Sequence, residues 1–191
     1  NAAYVYNGDN KDTLSSINPS LGYFGNNPPA VSFQCFNRPM TTCMLYLDIS
    51  CVPPSNLSIP QDPEDYFGYL NARWKNGLPL TSGGNGYSTD SSAIPVNYVF
   101  PGDPNEPGSW TMQNLPSPCV YLVQSFRIGT LKPDSSATFD VAYCYHRGPG
   151  LNNLQNVSLA YERIDQLQAL YNNQFENACT SPSCPDECVW P

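Results

Sequence analysis

The sequence predicts a mainly β protein: a disulfide-stapled antiparallel β-sandwich with a long C-terminal α-helix and a short inserted helix. Short segments rich in β-branched and aromatic residues, separated by Gly, Pro, Asn and Asp, are typical of antiparallel strands. Eight cysteines in 191 residues indicate a disulfide framework. After residue 151 the apolar spacing becomes helical. We therefore expect a β-sandwich domain over residues 1–150, with a loop and helix excursion at 52–92, and a helix with a cysteine-rich tail over 151–191. We expect the region 151–191 either to pack on the sandwich or to project from it.

The strongest strand pattern lies in two segments, 119–128 and 136–146, which are joined by a turn-rich connection. We expect them to form a hairpin. A register centred between Leu131 and Lys132 places Cys119 opposite Cys144 and predicts a disulfide between them. The same register gives one apolar face, which we predict to be the core face: Val120, Leu122, Phe126, Ile128, Phe139, Val141 and Tyr143.

Further strands are predicted on both sides of the middle loop region. Segments 30–37 and 41–51 read as a second hairpin, and 93–100 and 109–113 as two more strands. The apolar segment 2–6 predicts an edge strand of the chain's own sheet. The alternative is a strand donated to a neighbouring subunit, because a terminal strand is able to complete another sheet.

Two helices are predicted from capping residues and periodicity. Asp62 and Pro63 suit the start of a helix ending at Gly77, with Tyr66, Phe67, Leu70 and Trp74 as its apolar face. A longer helix over about 152–178 begins with a capping pair, Asn152 and Gln155. Its apolar stripe comprises Leu154, Val157, Tyr161, Ile164, Tyr171 and Phe175.

The composition indicates where the protein is located and which kinds of partner it does not bind. Sixteen acidic residues against eight Lys and Arg give a net charge of −8, which argues against nucleic-acid partners. No run of about 20 apolar residues is present to span a membrane. The cysteine content and two Asn-X-Ser sequons, at Asn56 and Asn156, indicate a secreted, extracellular glycoprotein.

The cysteines are interpreted as structural. Three of them fall within ten residues of the tail, but no Cys-x-x-Cys pair accompanies them and the chain has one histidine. Disulfides therefore explain the cluster better than a metal site, and no cofactor or metal is expected. The predicted disulfide set is Cys35, Cys43, Cys51, Cys119, Cys144, Cys179, Cys184 and Cys188.

Catalytic signatures are weak. His146 is the one imidazole available as a base, and no Gly-x-Ser-x-Gly elbow occurs. Carboxylates such as Asp48, Asp140 and the 62–65 group offer a route to glycoside hydrolysis, but the sequence selects no pair. No catalytic residue is assigned, and a glycoside hydrolase is the third interpretation.

The preferred interpretation is a secreted, non-catalytic structural or interaction module: a self-assembling subunit of an extracellular filament, coat or adhesive layer. Its partners would be other copies of itself or extracellular molecules. The candidate interface comprises Tyr4, Val5, Tyr6, Leu159 and Leu170. The alternative is a lectin-like carbohydrate-binding module, because exposed rings stack on sugars. The candidate stacking residues are Tyr66, Tyr69, Trp74, Tyr87 and Trp110.

Overall fold

The computed structural model describes residues 2–12, 24–48, 55–114 and 120–175. These residues form a mainly β structure with antiparallel sheets and two α-helices, one of them C-terminal, which confirms the predicted class. The strands are β1 (Ala2–Tyr6), β2 (Lys11–Asp12), β3 (Gly25–Asn26), β4 (Ala30–Cys35), β5 (Met40–Leu47), β6 (Val120–Phe126) and β7 (Val141–His146). The helices are α1 (Pro63–Leu70) and α2 (Asn153–Asn172).

The described strands pair into three antiparallel sheets. The largest has the order β1-β4-β7, and the others are the pairs β5-β6 and β2-β3. In the largest sheet β1 lies at one edge, hydrogen-bonded along its length to β4 of the same chain. This confirms the prediction of an edge strand on the chain's own sheet.

Both predicted hairpins are wrong, for one physical reason. β4 is paired on one side with β1 and on the other with β7, so neither of its edges is free for β5. β5 pairs instead with β6. Consecutive strands therefore separate into different sheets, both between β4 and β5 and between β6 and β7.

The observed strand pairing also places the cysteines differently from the prediction. Cys144 lies opposite Ser32 of β4, and its thiol is free, so the predicted Cys119–Cys144 bridge does not form. Cys35 and Cys43 are also free, and both are buried. The remaining cysteines of the predicted disulfide set lie outside the described residues: Cys51, Cys119, Cys179, Cys184 and Cys188.

Helix α1 begins where the sequence predicts and ends earlier. The Asp62 side chain accepts a hydrogen bond from the Asp65 backbone N–H at 2.9 Å. The helix ends at Leu70, and the chain folds back so that the Arg73 N–H donates to the Gly68 carbonyl. Because the helix ends before Trp74, the predicted apolar face is wrong.

The aromatic residues that are buried in this region differ from those predicted to form the apolar face of the helix. Tyr66, Phe67 and Leu70 are exposed, whereas Tyr69 and Trp74 are each only 1% exposed. The Trp74 indole N–H donates to the Gly86 carbonyl at 2.9 Å, and its ring meets that of Tyr69 edge-on. These contacts anchor the excursion to the core formed with β5.

The predicted strands at 93–100 and 109–113 are not continuous strands. Tyr98 forms a single parallel bridge with Cys43, and residues Met112–Asn114 form a 3₁₀ turn. The Val99 N–H donates to the Cys43 carbonyl, so this segment still joins the β5 side of the core.

Helix α2 confirms the predicted C-terminal helix, although it ends at Asn172, so Phe175 of the predicted apolar stripe lies beyond it and is exposed. Asn152 and Gln155 form a capping box, with reciprocal bonds of 2.8 and 2.9 Å. Val157 and Ala160 are buried against Ala30 of β4. The helix therefore lies across one face of the β1-β4-β7 sheet.

Gly102 occupies a crowded position next to this sheet. An added Cβ atom would lie 2.8 Å from the Ser109 Cβ atom and 2.9 Å from the Trp110 carbonyl oxygen. The Gly102 carbonyl also accepts hydrogen bonds from the hydroxyls of Tyr4 (2.8 Å) and Tyr161 (3.4 Å).

We expect Gly102→Ala to lower the free energy of unfolding by about 1–3 kcal/mol, because backbone atoms must move to accept the methyl group. The matched control is Gly8→Ala, since a Cβ atom there meets nothing within 4 Å. Urea denaturation of both variants measures the difference. Equal midpoints for the two variants would contradict the packing described here.

Candidate interaction surface

The two faces of the β1-β4-β7 sheet carry different side chains, and the strand register shows which residues belong to each face. Val5, Val31 and Tyr145 lie in one cross-strand row, and Ala3, Phe33 and Tyr143 lie in the next. We call the solvent-facing part of this side the open face: Val5, Val31, Phe33, Val141, Tyr143 and Tyr145. The Tyr143 side chain is 77% exposed. Ile128, Phe139 and Val141 are exposed as well, so the prediction that these four residues belong to the core is wrong.

The opposite face lies under helix α2 and is unusually polar. Ser32, Gln34 and His146 are buried there. The Gln34 Nε2 atom donates to the Ile164 carbonyl at 3.3 Å and to the Gln168 Oε1 atom at 3.2 Å. Helix α2 thus supplies hydrogen-bond partners to the polar side of β4, whereas the apolar side is partly exposed to solvent.

A groove runs between the open face and strand β6. The Phe33 and Phe126 rings are 6.5 Å apart, centroid to centroid, where the two sheets approach each other. Beside this contact lies a space of about 620 Å³ that Tyr121, Leu122 and Tyr143 help to line. None of the described lining residues is charged. The Gln124 Oε1 atom is buried without a hydrogen-bond partner among the described residues.

Strand β7 adds a backbone edge to this surface. It is an edge strand, with no strand partner on its outer side in the described part of the chain. Unpaired N–H and C=O groups on such an edge act as a template for another strand. The exposed rings of Tyr143 and Tyr145 belong to this same strand. An apolar face, a groove and a free strand edge therefore coincide.

The predicted interface residues divide between the two sides of the sheet. Val5 lies on the open face. Tyr4 and Tyr6 lie on the helix side, and the Tyr4 ring packs edge-on against Tyr161 at 5.2 Å. On α2 the predicted residues Leu159 and Leu170 are half-buried.

The predicted sugar-stacking residues are not gathered on one surface. Tyr69 and Trp74 are core residues, so neither presents a ring face to a sugar. Tyr66 is exposed on α1. Tyr87 and Trp110 are half-buried and pack edge-on against Trp74 and Phe100, respectively.

The two sequons occupy opposite environments. Asn56 is exposed, although its Nδ2 atom approaches the Tyr87 hydroxyl at 3.3 Å. Asn156 is fully buried: its Nδ2 atom donates to the Pro28 carbonyl, and its Oδ1 atom accepts from the Gly148 N–H, both at 2.9 Å. This environment is incompatible with a glycan on Asn156 in the folded chain.

His146 forms a buried pair with Ser32, their Nε2 and Oγ atoms being 2.8 Å apart. Both residues are about 1% exposed. The His146 Nδ1 atom has no partner among the described residues, so the orienting carboxylate of a catalytic triad is missing from the part of the chain described here. The pair is best explained as a contact between β4 and β7.

Asp140 also makes structural contacts. Its Oδ2 atom accepts a hydrogen bond from the Tyr171 hydroxyl and another, at 3.0 Å, from the Asn37 Nδ2 atom. The first of these bonds raises the pKa of Tyr171. Asp140 thereby ties the start of β7 to α2. Within the described ranges, no group of three or more His, Cys, Asp or Glu side chains is placed to hold a metal ion.

His146 predicts a specific pH dependence of stability. Burial, with the positive charge of Arg163 as a second cause, lowers the pKa of His146 below its ordinary value of 6.5. The unfolded chain then binds the proton more readily than the folded chain does. The stabilising contribution of neutral His146 is complete above pH 6.5 and decreases as the pH falls towards the lowered pKa.

We therefore expect the free energy of unfolding to fall between about pH 7 and pH 5, and His146→Gln to flatten the curve in that range. Denaturant titrations at a series of pH values measure both proteins. Because His146 is the chain's single histidine, the difference between the curves reports this residue. Parallel curves would show that the imidazole is not held neutral.

The described helices include none that combines the length and the apolar character needed to cross a membrane. Comparison of the chain with known family models, with curated protein sequences and with solved structures finds no match.

Proposed function

We propose that the chain is a secreted, non-catalytic interaction module that associates with further copies of itself through the open face and the edge of β7. The observation that carries this proposal is the exposure of valine and tyrosine side chains on a sheet face whose reverse side is already covered. Contiguous apolar patches on soluble proteins commonly mark interaction sites. Such a module suits an extracellular filament, coat or adhesive layer.

The distribution of charge favours a second copy of the chain as the partner that binds the open face. The chain has a net charge of −8, yet the open face carries no charged residue, so two copies meet there without direct repulsion. Antiparallel pairing of β7 with β7 would continue the sheet on both sides of a two-fold axis and join the two open faces.

The architecture that we propose for the module is a two-layer β-sandwich, with the β1-β4-β7 sheet facing the β5-β6 pair. The Phe33–Phe126 ring contact and the groove lined by both sheets support it. Ala3 of β1 shares a core cluster with Cys43 and Leu45 of β5. In such an arrangement β6 covers only part of the open face, and the rest is left for a partner.

Self-association predicts a specific effect of charge at Tyr143. We expect Tyr143→Lys to weaken association at least about tenfold, because the two-fold axis brings two lysines together and removes a central aromatic ring. Sedimentation equilibrium over a range of concentrations measures the dissociation constant. Tyr143 is largely exposed, so the melting temperature should stay within the range of ordinary surface substitutions.

The matched control is Ile94→Lys, which places the same charge at an apolar residue that is 69% exposed and does not line the groove. It should leave association unchanged. A monomer at every accessible concentration would refute the proposal. If Tyr143→Lys instead abolishes binding to a glycan array, the carbohydrate-binding alternative replaces it.

For a secreted chain, the structure predicts that one sequon carries a glycan and that the other does not. After expression through a eukaryotic secretory pathway, we expect Asn56 to carry a glycan and Asn156 to remain unmodified in the folded product. The reason is that Asn56 is exposed, whereas the Asn156 amide is buried and bonded. Glycopeptide mass spectrometry measures both sites, with Asn56→Gln as the control. A folded product glycosylated at Asn156 would contradict the structure.

A further inference from the structure

The dipeptide Asn-Gly occurs three times in the chain, at residues 7–8, 76–77 and 85–86. A glycine after asparagine leaves its backbone nitrogen accessible to the asparagine side chain, because no Cβ atom shields it. All three asparagines form the same local turn: the Oδ1 atom accepts a hydrogen bond from the N–H two residues further on, at 3.2, 3.2 and 3.1 Å. This turn folds the side chain back over the following peptide. The dipeptide and its turn therefore do not distinguish the three sites.

The three glycine nitrogens differ in their hydrogen bonds. The Gly77 N–H donates to the Trp74 carbonyl at 2.8 Å, and the Gly86 N–H donates to the Gly83 carbonyl at 3.0 Å. The Gly8 N–H has no hydrogen-bond partner among the described residues. Gly8 is also exposed, and a Cβ atom added there would meet nothing within 4 Å. Of the three nitrogens, the one at Gly8 is therefore available for reaction.

Further hydrogen bonds hold the other two dipeptides in place. The Asn76 Nδ2 atom donates to the Tyr87 hydroxyl at 2.9 Å. Gly86 is buried, and its carbonyl accepts hydrogen bonds from the Trp74 indole N–H and the Thr81 backbone N–H, both at 2.9 Å. Such bonds restrict the local opening that would let the side chain and the glycine nitrogen meet.

We propose that Asn7 is a site of spontaneous deamidation and that folding protects Asn76 and Asn85 from the same reaction. Hydroxide removes the proton from the Gly8 nitrogen, which attacks the Asn7 Cγ atom. The new C–N bond closes a succinimide ring as the bond from Cγ to the side-chain nitrogen breaks. The leaving nitrogen takes a proton from water and departs as ammonia, which regenerates hydroxide. A second water molecule opens the ring at either carbonyl and gives aspartate or isoaspartate.

The reaction would change the junction between β1 and α2. The Asn7 carbonyl accepts a hydrogen bond at 2.9 Å from the Nδ2 atom of Asn153, the first residue of α2. The aspartate product keeps this carbonyl and adds a negative charge near the start of the helix, where the helix dipole favours an anion. In the isoaspartate product the main chain runs through the former side chain, and the former Asn7 carbonyl becomes a free carboxylate. Either product makes the chain one charge more negative.

The test is incubation of the folded full chain at mildly alkaline pH in water enriched in heavy oxygen, followed by peptide mapping with mass spectrometry. Each deamidation incorporates one oxygen atom from the solvent, so events during the incubation are counted separately at each site. We expect Asn7 to convert at least about fivefold faster than Asn76 or Asn85, because those sites must first release a hydrogen bond. In strong denaturant the three rates should become similar. Equal rates in the folded chain, or an Asn7 that reacts only in denaturant, would overturn the proposal.

Two variants assign the reaction to this dipeptide. Gly8→Ala should slow conversion at Asn7 severalfold, because the added methyl group crowds the attacking nitrogen, and should leave the rates at Asn76 and Asn85 unchanged. The open space around Gly8 accepts the methyl group, so the variant should fold normally. Asn7→Gln should remove the more acidic species that native isoelectric focusing detects, since the longer side chain cannot close the five-membered ring. An unchanged rate at Asn7 in Gly8→Ala, or an acidic species of full intensity in Asn7→Gln, would refute the assignment.

Discussion

The double pairing of β4 is the constraint on which the rest of the structure depends. Because β1 and β7 occupy its two edges, β5 must leave the sheet at residues 36–39 and find β6 elsewhere. The same pairing fixes the direction of every side chain on three strands, since a register shift of one residue would exchange the two faces. One side is then covered by α2, and the other is the open face.

The contact between α2 and the sheet is held by matched polar groups as much as by apolar burial. Buried polar atoms are costly unless they are bonded. Asn156 meets this condition with bonds to Gly148 and Pro28, and Gln34 Nε2 meets it with bonds to α2. Such bonds restrict the helix to one position along the sheet, because a shift would break several of them together. Val157 and Ala160 supply the apolar part of the contact.

This polar contact explains which features the sequence could predict. Helix caps and periodicity are local, so Asp62, the Asn152–Gln155 capping box and the edge strand β1 were predicted correctly. Strand pairing is not local, and the alternation of Val31 and Phe33 with Ser32 and Gln34 gave no means of knowing that the polar side would be buried. The usual assumption that apolar residues point inward therefore placed Tyr143 in the core. The burial of Ser32, Gln34 and His146 against α2 became visible only in the structure.

The groove and a smaller cavity of about 190 Å³, which Tyr6 and Tyr161 help to line, share part of their walls, since Ala3, Tyr4 and Leu122 line both spaces. A substitution at these positions would alter both spaces together, and its effect could not be assigned to either. Tyr6 lines the cavity alone and Tyr143 the groove alone. A substitution at Tyr6 therefore alters the cavity and one at Tyr143 alters the groove, although strand β1 contributes residues to both spaces.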